Sequence, residues 1–284
     1  MALLTRITSA TKEVLIGDDR PTVLIGERIN PTGRRRLAAA LADGDWEAVR
    51  KEAIAQAQAG ADVLDVNVGV PGLDETKLLP EAVRVVAEAV DLPICIDSNN
   101  PQALAAALAV YRGKALVNSV TGEPRSLQAV LPVVRDFGAC VIGLAMDEGG
   151  IPREADRRVA IASRIVERAE AAGIPREDVV IDCLAMAVGA DGGAALVTLE
   201  AMRRVRAELG VNLSLGASNI SFGMPDRVLL TGAFLALTIA SGLNCPIVDA
   251  ARVRPVVTAV DLLLGRDPYA RRYVQAYRAR QNPA

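Results

Sequence analysis

The chain of 284 residues predicts a (β/α)8 barrel, the TIM-barrel class of α/β fold. Three observations predict it. Eight short apolar runs rich in Val, Ile and Leu recur along the chain, too short and too β-branched to be buried helices. Amphipathic or Ala-rich segments separate them at a regular interval, which is the rhythm of βα units. The composition is 51% hydrophobic but only 3% aromatic, so the core must be built from Ala, Val, Leu and Ile, as suits helices packed on parallel strands. A doubly wound sheet is the alternative arrangement of the same units. No linker, low-complexity tract or repeat breaks the pattern. Residues 1–284 therefore read as one domain, with the barrel between about 22 and 264.

The strands are expected in the following order: TVLIGER (22–28), DVLDVNV (62–68), PICIDS (93–98), KALVNSV (114–120), ACVIGLA (139–145), DVVIDCL (178–184), NLSLGAS (212–218) and CPIVDA (245–250). Helices are expected between them. DWEAVRKEAIAQAQAG (45–60) offers Asp45 as N-cap and Gly60 as the residue just past its end. PQALAAALAVYRG (101–113) and READRRVAIASRIVERAEAAG (153–173) are two more. Two end segments fall outside the eight units. EVLIG and TVLIG flank the turn sequence DDRP, so a short N-terminal hairpin of those two runs would plug the barrel bottom. The tail DPYARRYVQAYRAR carries three of the four tyrosines at helical spacing. It would cap the barrel or pack against a second subunit.

Charge and composition exclude several classes of function. A formal charge of −2 and a pI near 5.5 leave no electrostatic footprint for nucleic acid. No apolar run reaches the roughly 20 residues a bilayer requires. Lys12, Asp18 and Asp19 stand where a signal peptide needs its apolar stretch. Cys95, Cys140, Cys183 and Cys245 form no CxxC pair, which suits reduced thiols in a cytoplasmic protein. Histidine is absent. That removes Ser-His-Asp and Cys-His catalysis, zinc sites of the HExxH type and any imidazole general acid. No metal-ligating set is read from the chain. Carboxylates, amides, backbone groups or a borrowed cofactor must carry the chemistry.

Four of the runs end on a polar residue: Asp97, Asn118, Asp182 and Asn219. In a barrel these ends converge on the C-terminal face. A carboxylate there is partly desolvated and accepts paired N–H donors, as a flat heterocycle with an amide and an amino group presents. The plainer reading makes Asp97 the cap of the helix at Pro101 and Asp182 the organiser of its loop. Asn118 and Asn219 each offer a donor and an acceptor and do not titrate, although Asn is also a common turn residue. Repetition of one chemistry at four ends favours a shared ligand.

Several motifs carry a resemblance to a known family. IGERINPTG, DVNVG, CIDS, LVNSV, the GL-M-x5-P stretch at 143–152, VIDCL, LGASNIS and FLALTIASGLNCPIVDA, taken in that order, resemble the pterin-binding methyltransferases. These are the methyltetrahydrofolate:corrinoid methyltransferases, similar to the folate module of cobalamin-dependent methionine synthase and more distantly to dihydropteroate synthase. The resemblance implies a TIM barrel that binds a folate and passes its N5-methyl group to or from the Co(I) of a corrinoid. By motif, Asp97, Asn118 and Asp182 would hold the pterin edge, and Gly216, Ser218 and Ile247 would line its pocket. Asn219 would lie closest to the chemistry. A tertiary amine is a poor leaving group, so N5 needs a proton or a strengthening hydrogen bond as the methyl departs, and an Asn amide can supply the latter.

The resemblance also implies a partner. Cobalamin-carrying modules of this system hold their cofactor with a DxHxxG motif, which a chain without histidine cannot contain. The corrinoid is therefore expected on a separate small protein that docks transiently at the barrel mouth, with a homodimer as a further expectation from the family. At Phe222 the chain departs from the acetogen-type pattern, which has a Gln there able to reach the pterin. Asn30, Asn67 and Asp249 also end strands, where lining the pocket and a plain turn or strand-end role are both open readings. Arg34, Arg35 and Arg36 follow the first strand and either meet a folate glutamate tail or form a solvated helix start. Two rivals are dihydropteroate synthase and a non-catalytic pterin-binding subunit. Arg252 and Arg254 favour the synthase slightly. The four lysines, Lys12, Lys51, Lys77 and Lys114, speak against it, since none follows the seventh strand where the synthase needs one.

Overall fold

The computed structural model describes residues 3–281. A two-stranded antiparallel hairpin, β1 (Thr5–Thr8) and β2 (Glu13–Ile16), precedes a closed barrel of eight parallel strands. The barrel strands are β3 (Ile25–Ile29), β4 (Val63–Val66), β5 (Ile94–Asp97), β6 (Leu116–Thr121), β7 (Cys140–Leu144), β8 (Val179–Asp182), β9 (Asn212–Gly216) and β10 (Cys245–Val248). They pair in chain order, and β10 closes on β3 through Ile247 opposite Ile25. All eight expected strands are present and adjacent as a (β/α)8 barrel requires.

Two apolar layers hold the barrel together. The outer one lies between the sheet and helices such as α1 (Arg35–Asp43), α2 (Trp46–Ala59), α3 (Glu75–Ala89) and α4 (Pro101–Val110). It continues under α5 (Pro124–Asp136), α6 (Ala155–Ala171), α7 (Ala194–Leu209), α8 (Arg227–Ala240) and α9 (Ala250–Leu263). The inner layer is small: Ile25, Val63, Cys95, Leu116, Cys140, Val180 and Cys245 point inward near the strand starts. Ile7, Val14 and Ile16 of the hairpin close this layer from below. Burial of both strand faces is why these runs read as continuously apolar.

The N-terminal plug is built differently from the expectation. EVLIG does form one strand of it, but its partner is Thr5–Thr8 and not TVLIG, which enters the barrel as β3. The physical reason is register. Ile7 and Ile16 must face the same inner layer, and the turn closes through Ser9 N–H to the Lys12 carbonyl at 2.8 Å. Asn212 at the foot of β9 donates to Thr5 Oγ1 at 2.9 Å and to the Ile16 carbonyl at 3.0 Å, locking the plug to the barrel.

Helix α2 has the expected ends: the Asp45 side chain accepts from Glu47 N–H, and Gly60 takes a left-handed φ of 89°. α4 stops at Val110, three residues short of expectation. Tyr111 turns inward instead, accepting from Ile94 N–H at 3.1 Å and donating to the Thr8 carbonyl at 2.9 Å. The tail does not cap the barrel. Its helix α10 (Arg271–Gln281) packs outside against α9, with Arg272 near Asp261 and Asp62, while Tyr269 is almost fully exposed. Among the described residues no helix is long and apolar enough to cross a membrane.

Candidate active site at the barrel mouth

Parallel pairing places Asp97 directly opposite Asn118, and Asp182 opposite Ser214. The side-chain alternation along each strand turns these residues into the barrel. Asp97 is therefore not a helix cap. That task falls to Asn100, whose Oδ1 accepts from Gln102 N–H at 3.0 Å and Ala103 N–H at 3.3 Å. Asp97 Oδ2 instead accepts from Asn67 Nδ2 at 3.0 Å. Asn118 Nδ2 reaches across β5 to Asp65 Oδ1 at 3.2 Å.

Asp182 fills the plainer of its two expected roles, that of ordering its loop. It is buried, Oδ1 accepts from Leu184 N–H at 2.6 Å, and Oδ2 accepts from Gly216 N–H at 3.1 Å, so it orders its own loop and joins β8 to β9. Burial pushes its carboxyl up to about 6, against which those two N–H groups and the Arg158 charge favour the anion. Asp97 is likewise pushed up to about 6 by burial.

Beyond β9 the chain turns through a short 3-10 segment, Ala217–Ser221. Ser218 Oγ donates to Glu27 on β3 at 2.8 Å. Asn219 is exposed at the mouth. A β-carbon added to Gly216 would lie 3.1 Å from Asn219 Nδ2, so glycine there gives the amide its room. Ile247 faces inward on β10 against the inner layer. The site residues Asp97, Asn118, Asp182, Gly216, Ser218, Asn219 and Ile247 thus all belong to strand ends or turns on one face of the barrel.

The further candidates divide. Asn67 spends its amide on Asp97 and its oxygen on Gly69 N–H at 2.9 Å, so it supports the site from a strand-end turn. Asn30 accepts from Thr32 N–H at 2.9 Å, the geometry of a turn former. Asp249 pairs with Arg252 at 3.2 Å and Arg28 at 3.9 Å. Phe222 is 70% exposed under the Arg227 guanidinium, on the rim and away from the floor. Arg34 pairs with Glu52, which leaves it occupied, while Arg35 and Arg36 begin α1 exposed to solvent.

Three further residues border the site without marking a strand end in the sequence. Asp65 lies at the floor between Asn118 and Asp97; burial first, then the Asp97 charge, raise its carboxyl well above the usual range. Glu27 is raised by burial and by Asp249. Arg158 is fully buried and donates to the carbonyls of Pro152, Cys183 and Leu184 at 2.7–2.8 Å, pinning the loop after Asp182. Period-two alternation could have revealed the first two, since Asp65 shares a strand face with Val63 and Asn67, and Glu27 with Ile25. Arg158 carries no such signal.

Two cavities open beside these groups. One of about 830 Å³ lies between α4 and α5, lined by Asn100, Gln102, Ser119, Thr121, Arg125 and Val130 among others, and none of Asp97, Asn118, Asp182 and Asn219 lines it. A smaller one, about 200 Å³, is lined by Glu27, Arg28, Ser218, Ser221, Arg227, Asp249 and Arg252. Acceptor groups at the floor and an amide at the rim can hold a flat polar heterocycle edge-on.

The family model described as pterin binding enzyme matches residues 26–249, and the chain belongs to the pterin-binding enzyme family. Among individual relatives, it is 31% identical over 266 residues to the methylcorrinoid:tetrahydrofolate methyltransferase of Eubacterium limosum, covering 90% of this chain and 96% of that protein. It is 30% identical over 266 residues to the methionine synthase of Mycobacterium tuberculosis, covering 88% of this chain but 22% of that much longer protein. Of solved structures, a dihydropteroate synthase from Xanthomonas albilineans with 4-aminobenzoic acid superposes with a TM-score of 0.70 at 23% identity, covering 94% of this chain and 99% of that one. At that identity the likeness speaks for the fold alone.

Proposed function

We propose that this chain is a methyltransferase that moves a methyl group between N5 of tetrahydrofolate and the cobalt of a corrinoid held by a separate protein. The observation that carries the reading is the paired Asp97 and Asn118 with Asp182 at the mouth, in a chain that aligns along nearly its whole length with a protein named for this reaction. The corrinoid, brought by its carrier, would supply the cobalt, which is the nucleophile when the corrinoid accepts the methyl group and the leaving group when N5 takes the methyl from it. This chain's own residues do the rest. Asp97, Asn118 and Asp182 bind and orient the pterin edge through its N–H and amino groups. Gly216, Ser218 and Ile247 shape the adjoining wall. Asn219, exposed and without a side-chain partner among the described hydrogen bonds, is free to strengthen a bond to N5 as charge develops there.

On this reading residues 1–284 act as one pterin-binding domain, and docking of a small corrinoid protein at the mouth is transient. Four buried free thiols suit the cytoplasm. A homodimer is part of the same proposal, drawn from the family resemblance. Against a synthase, none of the four lysines follows the seventh strand: Lys114 is paired with Asp178 at the foot of the barrel at 2.6 Å, and Lys12, Lys51 and Lys77 are exposed on the hairpin turn, α2 and α3.

The test mixes the protein with methyltetrahydrofolate and free Co(I) cobalamin and follows loss of the Co(I) absorbance. Catalysed decay is expected. Tight folate binding without transfer would overturn the enzymatic reading.

A further inference from the structure

We propose that Asp65 is a positioning residue that sets the hydrogen-bond polarity of the pocket floor, turning the Asn118 amide so that Asn118 and Asp97 both present acceptors to the ligand. The inference deepens the pterin reading above and rests on it. Asp65 is 2% exposed on β4, one rung below the Asp97–Asn118 pair, because its strand partner is Cys95 and not Asp97. From there it reaches both members of the pair. Its Oδ1 accepts from Asn118 Nδ2 at 3.2 Å, and its carboxyl lies near enough to that of Asp97 for each to affect the other's ionisation.

Proton accounting gives the polarity. Two buried carboxyl groups in contact cannot both ionise at ordinary cost. The proton belongs on Asp65, the deeper of the two, where burial and the Asp97 charge both favour the neutral form. Neutral Asp65 then has one O–H, donated to Asp97, and one carbonyl oxygen, which accepts from Asn118. With Asn118 Nδ2 engaged below, its Oδ1 is left for the mouth. Asp97 has a similar constraint, since Asn67 Nδ2 occupies one side of Oδ2. The floor therefore offers oxygens only, and the ligand edge it selects carries N–H and amino donors. An analogue with a carbonyl in place of the amino group sets oxygen against oxygen.

The experiment measures dissociation constants of the full chain for a reduced 2-amino pterin and for its 2-oxo analogue, alongside thermal midpoints, in wild type, Asp65→Asn and Asp65→Leu. An Asn at 65 reproduces the donor to Asp97 and the acceptor for Asn118, so the preference for the amino ligand should be kept within a few fold. A Leu releases the Asn118 amide to rotate, so the preference should fall about ten- to hundredfold. A residue that merely filled space would weaken both ligands together and leave their ratio unchanged; that result in Asp65→Leu overturns the proposal. Should Asp65→Leu not fold, Asp65→Asn decides alone, and loss of the preference there overturns it. Failure of the wild type to bind either pterin would instead overturn the functional reading beneath it.

Discussion

Asp97 and Asp182 carry the same charge at the same face, yet the fold has already committed their oxygens differently. Asp182 accepts two backbone N–H groups, whereas Asp97 is held by side chains alone. Both carboxyls are raised from 3.8 to about 6, chiefly by burial. A folded value above the unfolded one favours the native state most at acid pH, and that contribution is lost as pH rises through about 6. Ligand binding has the opposite sign, because ionised carboxylates are the better acceptors. Folate affinity is expected to fall as pH drops through about 6 and to level off above about 7, measured by calorimetry at constant ionic strength. Affinity independent of pH across that window would contradict the acceptor role. Asp182→Ala is expected to weaken folate binding by about 1–3 kcal/mol and, unlike a substitution at a purely ligand-facing residue, to lower the thermal midpoint as well, since Leu184 and Gly216 lose their partner.

At the scale of elements, the hairpin and the mouth are separable. The hairpin closes the inner apolar layer at the foot of the strands, while the site occupies their heads. Ile7→Ala and Ile16→Ala each empty a fully buried position and are expected to cost about 2–5 kcal/mol of stability by denaturant unfolding, with the folate dissociation constant of the folded protein unchanged. A change in affinity larger than a few fold would show that plug and mouth are coupled. The turn after β9 should respond in the reverse way. Gly216→Ala crowds Asn219 Nδ2 and is expected to slow methyl transfer with little loss of stability.

The elements also show what a sequence discloses. All eight barrel strands were legible because a parallel strand buried on both faces must be apolar throughout, and their polar final residues stood out against that background. The hairpin partner differs from expectation because TVLIG resembles EVLIG in composition, and only the demand that Ile7 and Ile16 meet the inner layer together excludes it. Asp65 and Glu27 do not stand out in the sequence because they are lodged one turn of the pleat deeper than the polar strand ends. Arg158 was illegible in principle: a charged residue on a helix reads as solvated, and only the carbonyls of a distant loop explain its burial.

For the molecule as a whole, the barrel divides its labour along its axis. The foot is an apolar plug, the middle an apolar inner layer, and the mouth a set of fixed oxygens beside one exposed amide. On the proposed mechanism the oxygens bind while Asn219 answers the charge that develops at N5. Single-turnover methyl transfer from methyltetrahydrofolate to Co(I) cobalamin, compared between wild type and Asn219→Ala with folate affinity measured in parallel, tests this most directly. The expected result is a rate lower by about 10²–10³ with affinity changed no more than a few fold; an Asn219→Ala variant that transfers methyl at the wild-type rate would contradict the claim.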